Sequence, residues 1–316
     1  MICGILSAEV PNMSTELIDL SNALARETDR AAASVVAIHT EARGSSSGVV
    51  WRNGIIVTAE HALRRDEEIH VTLPDGRVVP ATLAGRDAST DLAVLKCAEA
   101  ASPVGEISDA AAIKPGNLVL VVGRTRASGP VAALGAISLV ASERRTWIGA
   151  PISPYVRLDI GLQPTAVGGA VIDAYGRAIG IATPRFARFG AIAVTASTVN
   201  RVADALLQAG HIPQGYLGVG LHPVRLPEAL RQTLQRDEKT AAIVVEVEPS
   251  GPAHKAGIMI GDLLISFGAH PIAQVEDVHA QLAAGEIGKP IMVKLVRGGA
   301  AQEATIVIGE RPQGGK

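Results

Sequence analysis

The spacing of apolar residues changes period more than once along this chain. Residues 14–32 place Leu17, Leu20, Leu24 and Ala31 on one helical stripe, with Ser14 as N-cap and Glu16 in the first turn, where the helix dipole favours a carboxylate. This helix is expected to pack on the domain that follows or on a neighbouring subunit. From Ser34 the period shortens to that of strands, predicted at residues 35–39, 48–51, 55–58, 69–73, 78–84 and 92–96. Asn53-Gly54 and Asp75-Gly76 punctuate this group, since glycine accepts a positive φ without steric cost. A second group is predicted at 117–123, 131–140, 155–158, 170–173, 178–183 and 190–195. About twelve short strands in two groups predict a mainly β protein built on a pair of antiparallel barrels.

Next, Ser197 is predicted to cap a helix with Val199, Val202, Leu206 and Leu207 on its apolar side and Gly210 at its end. The stretch 211–215, with Pro213 in it, reads as a linker. Strands at 216–221, 242–247, 263–267 and 291–296 and a helix at 275–284 make the last hundred residues a separate α+β domain. The resulting division is an N-terminal segment with its helix (1–33), a double-barrel domain (34–198), a linker helix (199–214), the small domain (215–312) and a tail (313–316).

Composition narrows the partners more than it changes the fold. A chain of 316 residues suits two cores, and 33 glycines and 18 prolines agree with turn-rich β architecture. A formal net charge of −2 offers no basic field, so no nucleic-acid partner is expected, and no apolar run reaches the ~18 residues of a membrane span. Two cysteines, Cys3 and Cys97, make no disulfide framework, and Cys97 in Leu-Ala-Val-Leu-Lys-Cys reads as a buried thiol. Eight histidines include no pair at metal-ligand spacing, so neither metal nor other cofactor is expected. Because Met-Ile-Cys-Gly-Ile-Leu lacks a basic region, the chain reads as cytoplasmic.

Three segments carry candidate chemistry. Thr58-Ala59-Glu60-His61-Ala62 ends a predicted strand, Ser89-Thr90-Asp91-Leu92-Ala93-Val94-Leu95 begins another, and Asp159 to Val171 reads Asp-Ile-Gly-Leu-Gln-Pro-Thr-Ala-Val-Gly-Gly-Ala-Val. Together they resemble, in order and spacing, the histidine, aspartate and serine segments of HtrA/Deg-type trypsin-like proteases, whose third segment reads roughly Asp-x-x-x-x-Pro-Gly-Asn-Ser-Gly-Gly-Pro-Leu. The resemblance runs from about Ser34 to Arg311 and includes the run 176–183. It implies a chymotrypsin-like double β-barrel in which His61 is the general base and Asp91 orients it.

The serine position of that pattern is occupied by Val167, which has no lone pair with which to attack a carbonyl. Thr165 and Ala166 stand where the family has Gly and Asn, and Ala170 where it has Pro, so the oxyanion loop departs from the pattern as well. Losing the nucleophile costs a serine protease roughly 10⁶ in turnover. Two readings of His61 and Asp91 then stand side by side: a buried pair that holds the barrels together, or the remnant of a cleft that binds extended peptides without cutting them.

The last domain resembles an HtrA-type PDZ domain. Gly215-Tyr216-Leu217-Gly218-Val219 matches the loop whose clustered amides take a terminal carboxylate, and Ser250 to Gly257 and Gly261-Asp262-Leu263-Leu264 match its Pro-Ala-x-x-Ala-Gly and Gly-Asp runs. The resemblance assigns peptide binding to Tyr216, Leu217, Gly218 and Val219, with the last peptide side chain lying between Leu217, Val219, Val278 and Leu282. It also implies a homo-oligomer, a trimer by family habit. No Phe, Tyr or Trp precedes Trp51 to build the usual N-terminal contact, so the helix at 14–32 is the candidate for that role. Two arginine groups, Arg64-Arg65 beside Asp66, Glu67 and Glu68, and Arg144-Arg145 with Arg185 and Arg188, read as solvated faces.

The function expected is that of a catalytically inactive, HtrA-like pseudoprotease. It would bind peptides or protein C-termini as an adaptor or regulator in protein quality control. The alternative is an active serine-type endopeptidase whose nucleophile is unrecognised or supplied by a partner.

Overall fold

A computed structural model describes residues 13–40, 44–63, 68–108, 113–142, 144–145, 151–187, 189–213, 215–282 and 287–311. The segment before Met13, the arginines at 64, 65 and 188, and the acids at 66 and 67 lie outside the described residues. Two compact units divide the chain, Met1–His211 and Ile212–Lys316.

The first unit opens with α1 (Met13–Ala32). Only its last turns are covered: Leu17 and Leu20 of the predicted stripe are 62% and 45% exposed, whereas Ala32 is buried. The first barrel follows from β1 (Val35–Thr40), β2 (Gly44–Arg52), β3 (Ile55–Ala59), β4 (Ile69–Thr72), β5 (Val78–Asp87) and β6 (Leu92–Lys96). It closes in the order β1-β2-β3-β6-β5-β4, and its interior is filled by Val36, Ile38, Val50, Ile56, Val71 and Leu95, among others. At Gly54 and Gly76 φ is +73° and +87°, so the two predicted turns use glycine for the backbone region that side chains disfavour.

The second barrel uses β7 (Leu118–Thr125) and β8 (Gly129–Ala141), then, after the short ribbon of β9 (Arg144–Arg145) and β10 (Pro151–Ile152), β11 (Tyr155–Asp159), β12 (Ala170–Asp173), β13 (Ala178–Thr183) and β14 (Ala191–Thr195). Its closed order is β11-β14-β13-β12-β7-β8. Every residue of β12, β13 and β14 is buried, which explains why these strands read as continuous apolar runs rather than as an alternation.

Helix α2 (Ala196–Ala209) covers both barrels, packing against β5, β6, β13 and β14 through Val199, Val202, Ala203 and Leu206. Thr195 rather than Ser197 is its N-cap, because the Ser197 hydroxyl already donates to the Ser153 carbonyl at 2.9 Å. Gly210, at φ +77°, ends it as predicted.

The second unit is a sheet ordered β16-β17-β18-β20-β21, from β16 (Val219–Arg225), β17 (Thr240–Val247), β18 (Leu263–Phe267), β20 (Pro290–Arg297) and β21 (Ala300–Val307), with β19 (His270–Pro271) beside β18. β15 (Gly215–Tyr216) pairs with β22 (Gly309–Glu310). Helices α3 (Glu228–Leu234), α4 (Pro252–Lys255) and α5 (Val275–Gln281) complete it, and Leu217, Val244, Phe267, Val278 and Leu295 fill its core. Helix α5 is shorter than the 275–284 predicted: its C-cap Leu282 has left helical geometry, at φ −81° and ψ 41°. Asp262, the residue before β18, is 1% exposed and accepts hydrogen bonds from Arg297 and from the Met259 amide.

Candidate functional site

Strand β3 ends at Ala59, and the next three residues turn in a single 3-10 turn that carries His61. Strand β6 begins at Leu92, so Asp91 is the last turn residue before it, and a non-glycine φ of +58° aims its carboxylate across the barrel end. That strained turn is held from behind by Asp87, which accepts hydrogen bonds from the Ser89 amide, the Ser89 hydroxyl and the Thr90 hydroxyl at 3.0, 2.5 and 2.6 Å. The ladder that pairs Ala59 with Leu92 brings the two turns together. His61 Nδ1 then lies 2.9 and 2.8 Å from the two Asp91 oxygens, and the His61 amide donates to Oδ1 at 3.0 Å.

Asp91 is wholly buried, and its second oxygen also takes the hydroxyl of Thr183, from the end of β13 in the other barrel. Arg185 stands 3.7 Å from Asp91 Oδ1 and 3.3 Å from Glu60 Oε2, and Arg86 pairs with Glu60 from the far side at 3.6 Å. Arg185 is therefore not on a solvated face, as its sequence grouping had suggested. Its amide donates to the Thr183 hydroxyl, which fixes both. Arg144, from the same grouping, lies over the Tyr155 ring at 5.4 Å. Neither Thr183 nor Arg185 was singled out from the sequence as belonging to this corner, although Thr183 closes the run 176–183 and so occupies a motif end.

The turn that carries Val167 is built differently. Pro164, Thr165 and Ala166 form a 3-10 turn capped by Val167, whose φ and ψ are −62° and 130°. The Ala166 amide donates to the Gln163 carbonyl at 2.9 Å and the Val167 amide to the Pro164 carbonyl at 3.2 Å. An oxyanion hole needs the amide at the nucleophile position aimed outward at the reacting oxygen. Here that amide is engaged within its own turn. Val167 itself is buried, 7% exposed.

The first barrel grips this turn through Ser47, a buried residue that sequence reading passed over in the run Ser45-Ser46-Ser47. Its amide donates to the Val167 carbonyl at 2.8 Å and its hydroxyl to the Thr165 carbonyl at 2.6 Å, while the Arg124 amide donates to that hydroxyl at 2.8 Å. A side chain on Gly168, at φ +79°, would lie 2.3 Å from the Ser47 carbonyl and 3.0 Å from the Ala59 amide, so Val167 is delivered beside the turn that bears His61. Thr58 and Ser47, the hydroxyls packed here, each donate to a carbonyl at 2.6 Å. Among the described residues no group of three or more His, Cys, Asp or Glu side chains is arranged to hold a metal ion.

In the second unit Leu217 and Gly218 lie between β15 and β16, with Gly218 at φ +73°. Their carbonyls are engaged, Leu217 by the Ala253 amide at 2.9 Å and Gly218 by the Glu248 amide at 2.8 Å, whereas neither amide donates to a backbone carbonyl among the described residues. β16 is the edge of its sheet, and α5 packs beside it. Leu217 and Val278 are buried in the core, and Val219 and Leu282 pack partly exposed against it, so four of the sequence-predicted residues converge at one end of β16. The Tyr216 hydroxyl turns away from that apolar cluster to the Glu248 carboxylate.

Residues 46–181 match the trypsin-like peptidase domain family and residues 215–308 the PDZ domain family. A probable periplasmic serine endoprotease DegP-like of Halomonas elongata is 30% identical over 72% of this chain and 48% of its own length. Serine endoprotease DegS of Salmonella typhimurium is 31% identical over 72% of this chain and 65% of its own. The chain thus spans about half to two thirds of the curated relatives it matches. Among solved structures, the HtrA-type protease AlgW with decapeptide superposes with a TM-score of 0.74 at 25% identity, covering 92% of this chain and 99% of that one. A serine endoprotease from Yersinia pestis gives 0.71 at 28%, covering 91% and 98%. The relatives' names correct the expectation of a cytoplasmic protein: those of the DegP-like type are called periplasmic. A single buried thiol at Cys97 never argued for either compartment.

Proposed function

Because the chain belongs to the HtrA family of trypsin-fold proteins with a PDZ domain, we propose that it is a member that binds peptides or protein C-termini without cleaving them. It would serve in the periplasm as an adaptor or regulator of protein quality control. The observation that carries this reading is Val167 at the nucleophile position, with its amide given to the Pro164 carbonyl. Attack needs a hydroxyl or thiol beside His61, and charge stabilisation needs outward amides. The buried hydroxyls packed against the Val167 turn, Ser47 and Thr58, are committed to carbonyls, and that of Thr183 to the Asp91 carboxylate. His61 and Asp91 then act as a structural corner, since removing either would strand a buried partner.

Peptide binding rests on the second unit. A sheet edge beside a helix, an apolar cluster at one end and two amides without backbone acceptors among the described residues are what β-strand addition with carboxylate capture requires. The relative solved with a decapeptide supports the same reading.

The test is a fluorophosphonate probe and casein digestion on the purified protein, with a peptide array in parallel. Absence of labelling and cleavage, with peptides retained on the array, is expected. Labelling or cleavage abolished by His61→Ala overturns the reading in favour of an active endopeptidase with another nucleophile.

A further inference from the structure

Edge strand β16 begins with a feature that the apolar groove does not use. Val219 and Leu221 turn inward with their partners Val247 and Val244, so Gly218, Gly220 and His222 belong to the outer face. Two of these three are glycines, and the strand behind them supplies glutamates: Glu246 is the register partner of Gly220, and Glu248 bonds to Gly218 through its amide. With no side chain in the way, the acids lean forward over the edge strand. A methyl on Gly220 would lie 3.4 Å from Glu246 Oε2, and one on Gly218 would lie 3.3 Å from Glu248 Oε2. Glu248 is fixed there by the Tyr216 hydroxyl. Past the bulge after Gly220 the outer face loses its charge, since His222 is paired with Ile243.

A peptide added to β16 alternates its side chains between the two faces of the sheet. With its carboxylate at the amides of Leu217 and Gly218, its last side chain enters the apolar cluster of Leu217, Val219, Val278 and Leu282. The penultimate side chain then falls on the outer face, alongside Gly220 and the two carboxylates. We propose that this groove selects peptide C-termini with an apolar last residue and a lysine or arginine immediately before it, and that Glu246 and Glu248 are the residues that read the cation. The proposal rests on the peptide-binding reading above and specifies the class of ligand.

The experiment measures binding of the full chain, by fluorescence polarisation at low salt, to free-acid decapeptides ending in Val and differing only in the penultimate residue: Arg, Ala or Glu. Arg is expected to bind about fivefold more tightly than Ala, the size of an exposed but doubly flanked ion pair, with the margin shrinking at high salt. Glu is expected to be weaker than Ala. In Glu246→Gln/Glu248→Gln the three peptides should bind alike, and in Glu246→Lys the order of Arg and Glu should reverse. Both positions are exposed, so these variants fold. Equal affinities in the unaltered protein overturn the proposed selectivity while leaving peptide binding standing. If none of the peptides binds, or if C-terminal amides bind as well as free acids, the underlying carboxylate-capture reading fails, and this inference with it.

Discussion

The corner that holds His61 and Asp91 and the turn that carries Val167 belong to adjoining barrels, and they treat their polar atoms in opposite ways. At the corner, a buried carboxylate collects a ring nitrogen, an amide and a hydroxyl drawn from two different barrels. At the turn, the amides of Ala166 and Val167 are each given to the carbonyl three residues back, and the one side chain in the nucleophile position is a hydrocarbon. The difference follows from what each group costs the fold. A buried carboxylate that loses a partner leaves unmet charge, so its neighbours are constrained whether or not chemistry takes place. A nucleophilic hydroxyl holds nothing together, and its replacement by valine adds buried apolar surface.

The largest effect should come from breaking the corner. Asp91→Ala strands the Thr183 hydroxyl and the His61 amide and leaves Arg185 and Glu60 to rearrange, and a loss of about 3–5 kcal/mol is expected from urea unfolding. A loss below about 1 kcal/mol would show that the corner is not structural, and the comparison would collapse. Arg124 is another buried charge, held by carbonyls: its guanidinium donates to Val35 at 2.6 Å and to Ala32, at the end of α1, at 2.7 Å. Burial pushes this arginine down from its ordinary value. Arg124→Met keeps the volume but strands both carbonyls, and should cost about 2–3 kcal/mol. Protease nicking of α1 should rise in that variant, since the helix end loses its anchor.

Val167→Ser sharpens the comparison from the other side. It exchanges buried methyl groups for a hydroxyl, so about 1–2 kcal/mol of stability should be lost. No casein cleavage should be gained, because the amide at 167 still faces the Pro164 carbonyl. Efficient cleavage by this single variant would mean that the turn reopens unaided, and that the substituted hydroxyl alone separates it from a working site.

These same contrasts mark what was legible in the sequence. Both barrels and most of their strands were readable, because apolar alternation and the glycines of the Asn53-Gly54 and Asp75-Gly76 turns are local signals. His61, Asp91 and Val167 were readable through motif order. Thr183, Arg185 and Ser47 were not: each is placed by a partner 92 to 125 residues away, and no local spacing encodes such contacts. Helix α3 and strand β21 were missed for a different reason. Their faces are largely exposed, with none of Glu228–Leu234 buried and Ala300–Val307 mostly exposed, so their apolar period is faint. The Ser197 cap failed because Thr195, two residues earlier, already left the strand in extended geometry and opened the helix.

The smallest expected effect is read by acid at another buried carboxylate, Asp262. Burial alone would raise the Asp262 carboxyl, but the hydrogen bonds from Arg297 and the Met259 amide, and the charge of Arg297, outweigh it and hold the group below its ordinary value. A depressed carboxyl favours the folded state above its unfolded value and loses that contribution as pH falls toward the folded one. Acidification from neutral to below about pH 4 should therefore weaken the second unit, and Asp262→Asn should flatten that dependence while lowering stability at neutral pH. Hydrogen exchange at β18 and β20, which Asp262 and Arg297 flank, reads this directly. An acid response that is unchanged in Asp262→Asn would place the sensitivity in other carboxylates. The Asp262–Arg297 pair would then stabilise the sheet through packing and hydrogen bonds that survive protonation.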